Sequence, residues 1–416
     1  MRSVHFIGIG GVGMNGLAQL AAQSDYSVTG SDRTYDPEAE LFQCLEKLGI
    51  QVFPQDGSGI DAHTTQVVYS TAIESDNPDI HQSNMRGIPL LHRAEFLKEL
   101  IGDDELIAVA GTAGKTTTTG LLGWIFECQG KDPTVYNGAA VLNWQKHPIL
   151  GNIRKGSSNL WIIEADESDR SFLNFHPTHS IITNISKDHY ELDDLKTMFM
   201  QFEDQTSGIT IHGQSNEVQD LHLNIPMLGR HNLENARCAA KLCIELGMNF
   251  ERVKEAISTF KGIERRLEVT GECKGITVID DYAHNPAKIS AALSAVTERY
   301  GKVHAYWRPH GFTPLFQGME DLVKVFSAHW KMNGGSIFIL PVYYAGGTVE
   351  RKASAEDLVG QLNSAGVPAV LVQNYDTLKN ELEARAVSGD AILGMGARDP
   401  ELPVFANRLV TEWKLS

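Results

Sequence analysis

Lys115 follows a glycine-rich turn, in the stretch Gly111-Thr-Ala-Gly-Lys-Thr-Thr-Thr-Thr119. A tight turn of this kind aims successive backbone N–H groups and a helix N-terminus at one point, which suits a polyphosphate. The Lys115 ammonium can reach β- and γ-phosphates, and the Thr116 hydroxyl can ligate Mg²⁺. The long loop pattern G-x-x-x-x-G-K-[ST] is not met, because Val109 holds its first glycine position. The loop is a shorter variant. Its candidate phosphate ligands are Gly111, Thr112, Gly114, Lys115, Thr116 and Thr117.

Three more segments deliver polar side chains from the end of an apolar run. Leu160-Trp-Ile-Ile precedes Glu164, Asp166 and Glu167. An acid there can hold Mg²⁺ or a metal-bound water, although a solvated acidic turn has the same composition. Ser180-Ile-Ile leads to Thr-Asn-Ile-Ser-Lys-Asp and His189. Magnesium prefers oxygen, so a His189 ligand makes Mn²⁺ the alternative ion. Ile276 to Ile279 leads to Asp280, Asp281, His284 and Pro286, with the proline placed to start a helix. A fourth polar cluster, Gly229-Arg-His-Asn-Leu-Glu-Asn235, precedes a helical pattern from Ala236 to Leu246. Asn232 is then the expected N-cap, and His231 and Asn235 lie at that helix end, in reach of a base or ribose.

The elements that must position these groups alternate between strand and helix. Glu105 to Ala110 reads as the buried strand feeding the phosphate loop, and Lys115 opens its helix. At the N-terminus a strand runs into Gly8-x-Gly10-x-x-Gly13, followed by a helical run from Met14 to Gln23. A second strand ends at Gly30-Ser-Asp32, about twenty residues past the first glycines, as in a dinucleotide-binding βαβ unit. Gly10, Gly11, Gly13 and Asp32 are therefore candidate ligand contacts. A turn that binds nothing has the same glycines. A further strand, Gln66 to Ile73, carries Ser70 at its carboxyl edge. Residues 266 to 416 give strands at 276–279, 303–307, 336–340, 369–372 and 391–394. The expected fold is α/β with parallel sheets in three domains, at 1–97, 98–265 and 266–416. The first begins with a dinucleotide-type βαβ unit, and the middle one carries the phosphate loop.

At 416 residues the chain is long enough for such a plan, and 42% hydrophobic content is ordinary for a globular protein. A net charge of −16 without a basic cluster argues against a nucleic-acid partner. The five scattered cysteines show neither disulfide-framework nor zinc spacing. No leader pattern and no membrane-spanning apolar run is present. A reduced, cytoplasmic setting without membrane insertion is the expectation.

GTAGKTTTT, EADESD, NISKDH, GRHNLEN, GIERRLE and DDYAHNP occur in that order, after HFIGIGGVGM and GSD. Together they closely resemble the Mur ligases of peptidoglycan synthesis over nearly the whole chain. The branch they most resemble adds L-alanine or a recycled tripeptide to UDP-N-acetylmuramate. The resemblance implies that ATP phosphorylates a carboxylate, and that an amino acid or short peptide attacks the acyl phosphate to give an amide. It makes the first and last domains Rossmann-like and the central one a P-loop ATPase-like parallel sheet. It also makes Lys115, Glu164 and His189 the catalytic set, with Thr116, Glu164 and His189 as metal ligands. His231, Asn235, one of Arg265 or Arg266, and Asp281 would hold the nucleotide. Gly10, Gly11, Gly13, Asp32 and Ser70 would meet the UDP-sugar. Other branches carry a carbamylated lysine where this chain has Phe199, which fits the alanine-adding and recycling branch.

Three departures bear on the acceptor and the loop. Ala113 replaces a histidine of the branch, which removes an imidazole contact and keeps the backbone cradle. In Trp307-Arg-Pro-His-Gly-Phe-Thr-Pro314, His310 remains, while Gly311 and Pro314 stand where arginines would clamp the acceptor carboxylate. Arg308 and Arg398 are the candidate substitutes. Asn285 stands where a second histidine is frequent. L-alanine is therefore expected to be a poor acceptor. A Mur-like ligase with a substrate outside the cell wall, and a non-catalytic UDP-sugar-binding relative, are the alternative readings. Lys115→Ala should abolish turnover and leave the fold intact, a loss of about 3 kcal/mol or more of transition-state stabilisation. Steady-state kinetics of the folded variant check this, and near-normal turnover would remove the phosphate site from Lys115.

Overall fold

Residues 2–186, 192–344 and 351–415 are described in the computed structural model. The chain divides into two compact units, Met1–Pro226 with His231–Glu264, and Met227–Arg230 with Arg265–Ser416.

The first unit holds two sheets. The first consists of β1 (Arg2–Ile7), β2 (Tyr26–Asp32), β3 (Gln51–Pro54), β4 (Gln66–Tyr69) and β5 (Leu90–His92), in the order β3-β2-β1-β4-β5. All its pairings are parallel. Its helices are α1 (Val12–Ala22), α2 (Glu40–Lys47), α3 (Pro78–Arg86) and α4 (Arg93–Ile101). The direction of winding reverses between β1 and β4, and ligands of such sheets bind past the carboxyl ends at that point. The glycine turn leaves β1 there, and Ser70 leaves β4. β4 stops at Tyr69, short of the predicted Ile73, because the chain turns and the Ile73 N–H bonds the Ser70 carbonyl at 3.0 Å.

The second sheet contains β6 (Glu105–Ala110), β7 (Thr134–Tyr136), β8 (Ile153–Arg154), β9 (Leu160–Glu164), β10 (His179–Ile182) and β11 (Thr210–His212). Their order is β11-β10-β6-β9-β7-β8. β6 lies between β9 and β10, so the phosphate loop emerges between the tips of both. Leu106 to Ala110 are all buried, as a strand covered on both faces requires. The helices are α5 (Lys115–Cys128), α6 (Leu192–Asp204), α7 (Asn216–Gln219), α8 (Arg230–Glu245) and α9 (Phe250–Ser258). α8 starts six residues before the predicted Ala236, so Asn232 is an interior helical residue and not an N-cap. The polar run Arg-His-Asn-Leu-Glu-Asn hides the apolar stripe that marks a helix, because Asn232 and Asn235 occupy buried positions on it.

The second unit holds one sheet of β12 (Glu268–Cys273), β13 (Ile276–Asp281), β14 (Val303–Arg308), β15 (Ile337–Ile339), β16 (Ala369–Leu371) and β17 (Ala391–Gly396). The order is β12-β13-β17-β14-β15-β16. α10 (Pro286–Thr297), α11 (Phe312–Asn333), α12 (Ala355–Ser364), α13 (Tyr375–Glu383) and α14 (Glu401–Leu415) accompany it. Asn285 caps α10 by accepting from the Lys288 N–H, with Pro286 in the first turn as predicted. The expectation of wholly parallel sheets needs correction at two edges, where β12 and β8 run antiparallel to β13 and β7. β12 has no apolar run in Glu-Val-Thr-Gly-Glu-Cys, since an edge strand keeps much of its surface in water.

Phe199 of α6 is 1% exposed and packs on Phe172 with ring centroids 5.5 Å apart. It belongs to the same apolar core as Phe172 and Phe202. Phe199→Ala should cost about 3–5 kcal/mol in unfolding free energy, by lost burial and the cavity left behind. Denaturant unfolding with an unchanged m-value would measure it, and a cost below 1 kcal/mol would contradict this packing.

Candidate active site

The phosphate loop takes its shape from two glycines and one asparagine. Gly111 and Gly114 have φ of +131° and +85°. Side chains at either position would strain the backbone, and a Cβ would also strike the Thr183 hydroxyl or the Asn235 amide oxygen. Asn235, predicted near the nucleotide, is thus packed against the loop. Asn184, just past β10, clamps the other side. Its Oδ1 accepts from the Thr112 hydroxyl at 2.6 Å and from the Ala113 N–H at 3.1 Å, and its Nδ2 donates to the Ala113 carbonyl at 2.9 Å. The Thr183 hydroxyl donates to the same carbonyl at 2.6 Å. The Thr112 N–H bonds the Asn184 carbonyl at 3.1 Å.

This clamp occupies the N–H groups of Thr112 and Ala113. Those of Gly114, Lys115, Thr116 and Thr117 form the open start of α5, since the Thr118 N–H is the first to bond inside the helix, to the Gly114 carbonyl. Four orphan donors at a helix N-terminus make an anion cradle. Lys115 lies across it. Its Nζ donates to the Gly111 carbonyl at 2.9 Å and to Glu167 Oε2 at 2.6 Å, with Asp166 Oδ1 at 3.6 Å. Burial opposes the Lys115 charge, but Glu167, Asp166 and Glu164 outweigh it and hold its pKa above the ordinary lysine value. The lysine is a fixed cation.

Next to it, the Thr116 hydroxyl donates to Glu164 Oε1 at 2.9 Å, and Glu164 Oε2 accepts from the Gly138 N–H at 2.7 Å. Glu164 is thereby held at the loop with one oxygen beside a hydroxyl. A carboxylate and a hydroxyl oxygen side by side are hard donors that fit Mg²⁺. His189, the third predicted ligand, lies outside the described residues.

The acidic tip of β9 also ties the two sheets of this unit together. Arg93, the first residue of α4, reaches Asp169 Oδ2 at 3.1 Å and Asp166 Oδ2 at 3.8 Å. The Tyr136 hydroxyl at the end of β7 donates to the Gly13 carbonyl at 3.0 Å. The glycine turn is therefore anchored to the strand next to β9. Within the turn, the Gly10 N–H donates to Asp32 Oδ2 at 2.8 Å, while Asp32 Oδ1 accepts from Thr34. Asp32 therefore braces the turn with both carboxylate oxygens. Gly11 is the N-cap of α1, and Ser70 is half-buried beyond β4.

In the second unit, Arg265 is committed to Asp280 at 2.8 Å and to the Gly396 carbonyl at 2.8 Å. Of the two candidate arginines Arg266 is the more available, resting beside the Tyr282 ring. Asp281 accepts from the Leu267 and Ala283 N–H groups, and burial pushes its carboxyl up to about 6. His284 and His310 pack edge to face at 5.0 Å beside a cavity of about 140 Å³ lined also by Asn285, Trp307 and Pro314. Burial pushes the His284 imidazole down to about 4, and its Nδ1 bonds the Tyr282 carbonyl at 2.9 Å. Arg308 is committed to Asp399 Oδ2 at 2.6 Å. Arg398 is exposed, and its charge acts on His310, whose pKa is lowered by burial and then by this neighbour. His231 is exposed at the start of α8.

Three family models match the chain: the Mur ligase family catalytic domain at 3–104, the Mur ligase middle domain at 109–199, and the Mur ligase glutamate ligase domain at 265–398. A UDP-N-acetylmuramate–L-alanine ligase of Jannaschia sp. (strain CCS1) is 33% identical, over 95% of this chain and 93% of that one. The chain belongs to the Mur ligase family. Its counterpart from Maricaulis maris (strain MCS10) is 33% identical over 97% of this Mur ligase and 96% of its own length. Among solved structures, a UDP-N-acetylmuramate-alanine ligase from Thermotoga maritima matches with a TM-score of 0.83 and 25% identity, covering all of both chains. A murein peptide ligase from Psychrobacter arcticus matches at 0.67 and 21%, which speaks for the fold.

Asn184, Thr183, Arg93 and Tyr136 are the site-building residues that sequence reasoning passes over. Asn184 and Thr183 sit inside a quoted motif, so a signal existed; Arg93 and Tyr136 carry none. Asn184→Ala should leave Lys115 in place but free the loop. The KM for ATP should then rise about tenfold, equal to about 1.4 kcal/mol, with a smaller change for the other substrates. An unaltered KM for ATP would show that the loop needs no clamp.

Proposed function

We propose that this chain is an ATP-dependent ligase that joins UDP-N-acetylmuramate to L-alanine in peptidoglycan precursor synthesis. The observation that carries this reading is the fixed Lys115 at the open start of α5, beside the Thr116–Glu164 pair. It stands in a chain one-third identical, along almost all of its length, to L-alanine ligases. In this reading residues 1–97 take the nucleotide sugar, 98–265 take ATP, and 266–416 take the amino acid. No helix among the described residues is long and apolar enough to cross a membrane. A cytoplasmic location is part of the proposal.

Mur ligases are ATP-dependent enzymes that work with a divalent metal. Here Thr116 and Glu164 would hold Mg²⁺, with His189 as a further ligand and Mn²⁺ as the alternative ion. When bound, the ion neutralises charge on the phosphates. The chain's own contribution is positional. The four N–H groups of α5 and the Lys115 ammonium bind the phosphates and stabilise the charge that spreads over the transferring group. To bind them, Lys115 exchanges Glu167 for phosphate oxygen. A carboxylate oxygen of the sugar attacks the γ-phosphorus, and ADP leaves. The amine nitrogen then attacks the acyl carbon, loses a proton, and expels inorganic phosphate as the amide forms. Asn235, His231, Arg266 and Asp281 are the proposed nucleotide contacts. Gly10, Gly11, Gly13, Asp32 and Ser70 are those for the UDP-sugar.

Gly311 and Pro314 favour one variation, a short peptide as the better acceptor. Arg398 and His310 are the proposed carboxylate contacts for either acceptor, since Arg308 is already paired. ADP release with UDP-N-acetylmuramate and either L-alanine or the tripeptide tests both readings. Arg398→Ala should raise the KM for the amino acceptor about tenfold and leave that for ATP unchanged. Arg308→Ala should instead lower stability by about 1–3 kcal/mol, because the buried Asp399 carboxylate loses its cation and keeps the Tyr375 hydroxyl and the Glu401 N–H as donors. If neither acceptor supports amide formation by the folded chain, the proposed reaction is wrong.

A further inference from the structure

Away from the phosphate loop, α2 and the segment between β7 and β8 bring together three side chains that bind metals. Glu40 and Cys44 stand one helical turn apart on α2, and His147 faces them from the other segment. His147 Nδ1 is 3.5 Å from Cys44 Sγ and 3.9 Å from Glu40 Oε1. One ligand atom from each residue lies within 4.8 Å of the other two. Around a tetrahedral zinc, bonds of about 2.3 Å to sulfur and about 2.0–2.2 Å to nitrogen and oxygen put the ligand atoms about 3.3–3.6 Å apart. The sulfur–nitrogen pair already has this separation, and Glu40 needs only a small side-chain rotation. Glu40 and His147 are exposed while Cys44 is buried, so the ion has an open approach to a sheltered sulfur.

We propose that Glu40 Oε1, Cys44 Sγ and His147 Nδ1 form a site for a borderline-soft divalent cation of the Zn²⁺ type, with solvent as fourth ligand. Thiolate and imidazole donors select such an ion over Mg²⁺. The phosphate-loop pair, made only of oxygen, selects the reverse. The proton balance is simple. Lys47 Nζ lies 2.9 Å from His147 Nε2. An ammonium only donates, so Nε2 accepts and the neutral ring keeps its proton on Nδ1. On binding, that proton leaves Nδ1 and Nε2 takes one up, while the exposed Lys47 swings into solvent. The Cys44 thiol gives one proton to solvent, the net release per ion. The bound ion would cross-link α2 of the first sheet to the β7–β8 segment of the second, inside one unit.

Chelator-treated full-length protein, kept in excess Mg²⁺, is titrated with Co²⁺. One equivalent should produce tetrahedral d–d absorption with a thiolate-to-cobalt charge-transfer band, and Zn²⁺ should bleach both. Cys44→Ser and His147→Ala should each abolish the band, and Glu40→Gln should weaken binding at least tenfold. His147 is exposed, so His147→Ala keeps its fold and remains decisive if Cys44→Ser misfolds. Zn²⁺ should also raise the Tm of the parent and not of His147→Ala. No charge-transfer band, or one that persists in His147→Ala, would overturn the proposal. These readouts do not depend on ligase turnover.

Discussion

A polyphosphate site requires backbone N–H groups that nothing inside the protein satisfies. Buried donors without partners are costly, so a fold tolerates them at few places, the first turn of a helix being one. The second sheet is arranged around that exception. β6 is buried on both faces and runs straight into the turn, which fixes where α5 begins. β9 and β10 flank β6 and send Glu164 and Asn184 to opposite sides of the loop. The asparagine consumes the two N–H groups that a phosphate would not reach. It thereby stiffens the loop without closing it.

The same constraint explains the acidic tip of β9. A lysine beside four N–H dipoles experiences a strongly positive field and needs nearby negative charge to remain ordered. Glu167, with Asp166 behind it, supplies that charge. Asp166 and Asp169 in turn engage Arg93 at the start of α4. Charges therefore alternate from the loop lysine to a helix of the first sheet, and Tyr136 adds a neutral tie to the glycine turn. Members of the series have second partners, as Lys115 has the Gly111 carbonyl and Asp169 the Ser171 N–H.

The phosphate loop, the glycine turn after β1 and the acids after β9 can be read from the chain because their chemistry is local. A Gly-Lys-Thr run or a strand ending in acids declares itself within a few residues. The start of α8 could not. Its residues are polar, with Asn232 and Asn235 buried, and periodicity treats them as linker. The position of Asn235 at a helix end is legible in the sequence, whereas its contact with Gly114 depends on tertiary packing. Arg93 and Tyr136 act across more than 70 and 120 residues of sequence, and no spacing rule reaches that far. Edge strands β8 and β12 escaped for the opposite reason, having too little buried surface to leave a pattern. Arg308 and Arg398 looked equivalent in sequence until Asp399 separated them.

Under the proposed function, the short bond between Lys115 and Glu167 makes nucleotide capture an ion-exchange step. An incoming anion must outcompete a tethered carboxylate whose local concentration never falls. A singly charged anion brings no more charge than the group it displaces, and it cannot fill the remaining N–H positions of the turn. A triphosphate does both at once. The loop therefore ranks anions by valence before shape is consulted, and the abundant small anions of a cell are turned away by a residue that no phosphate touches.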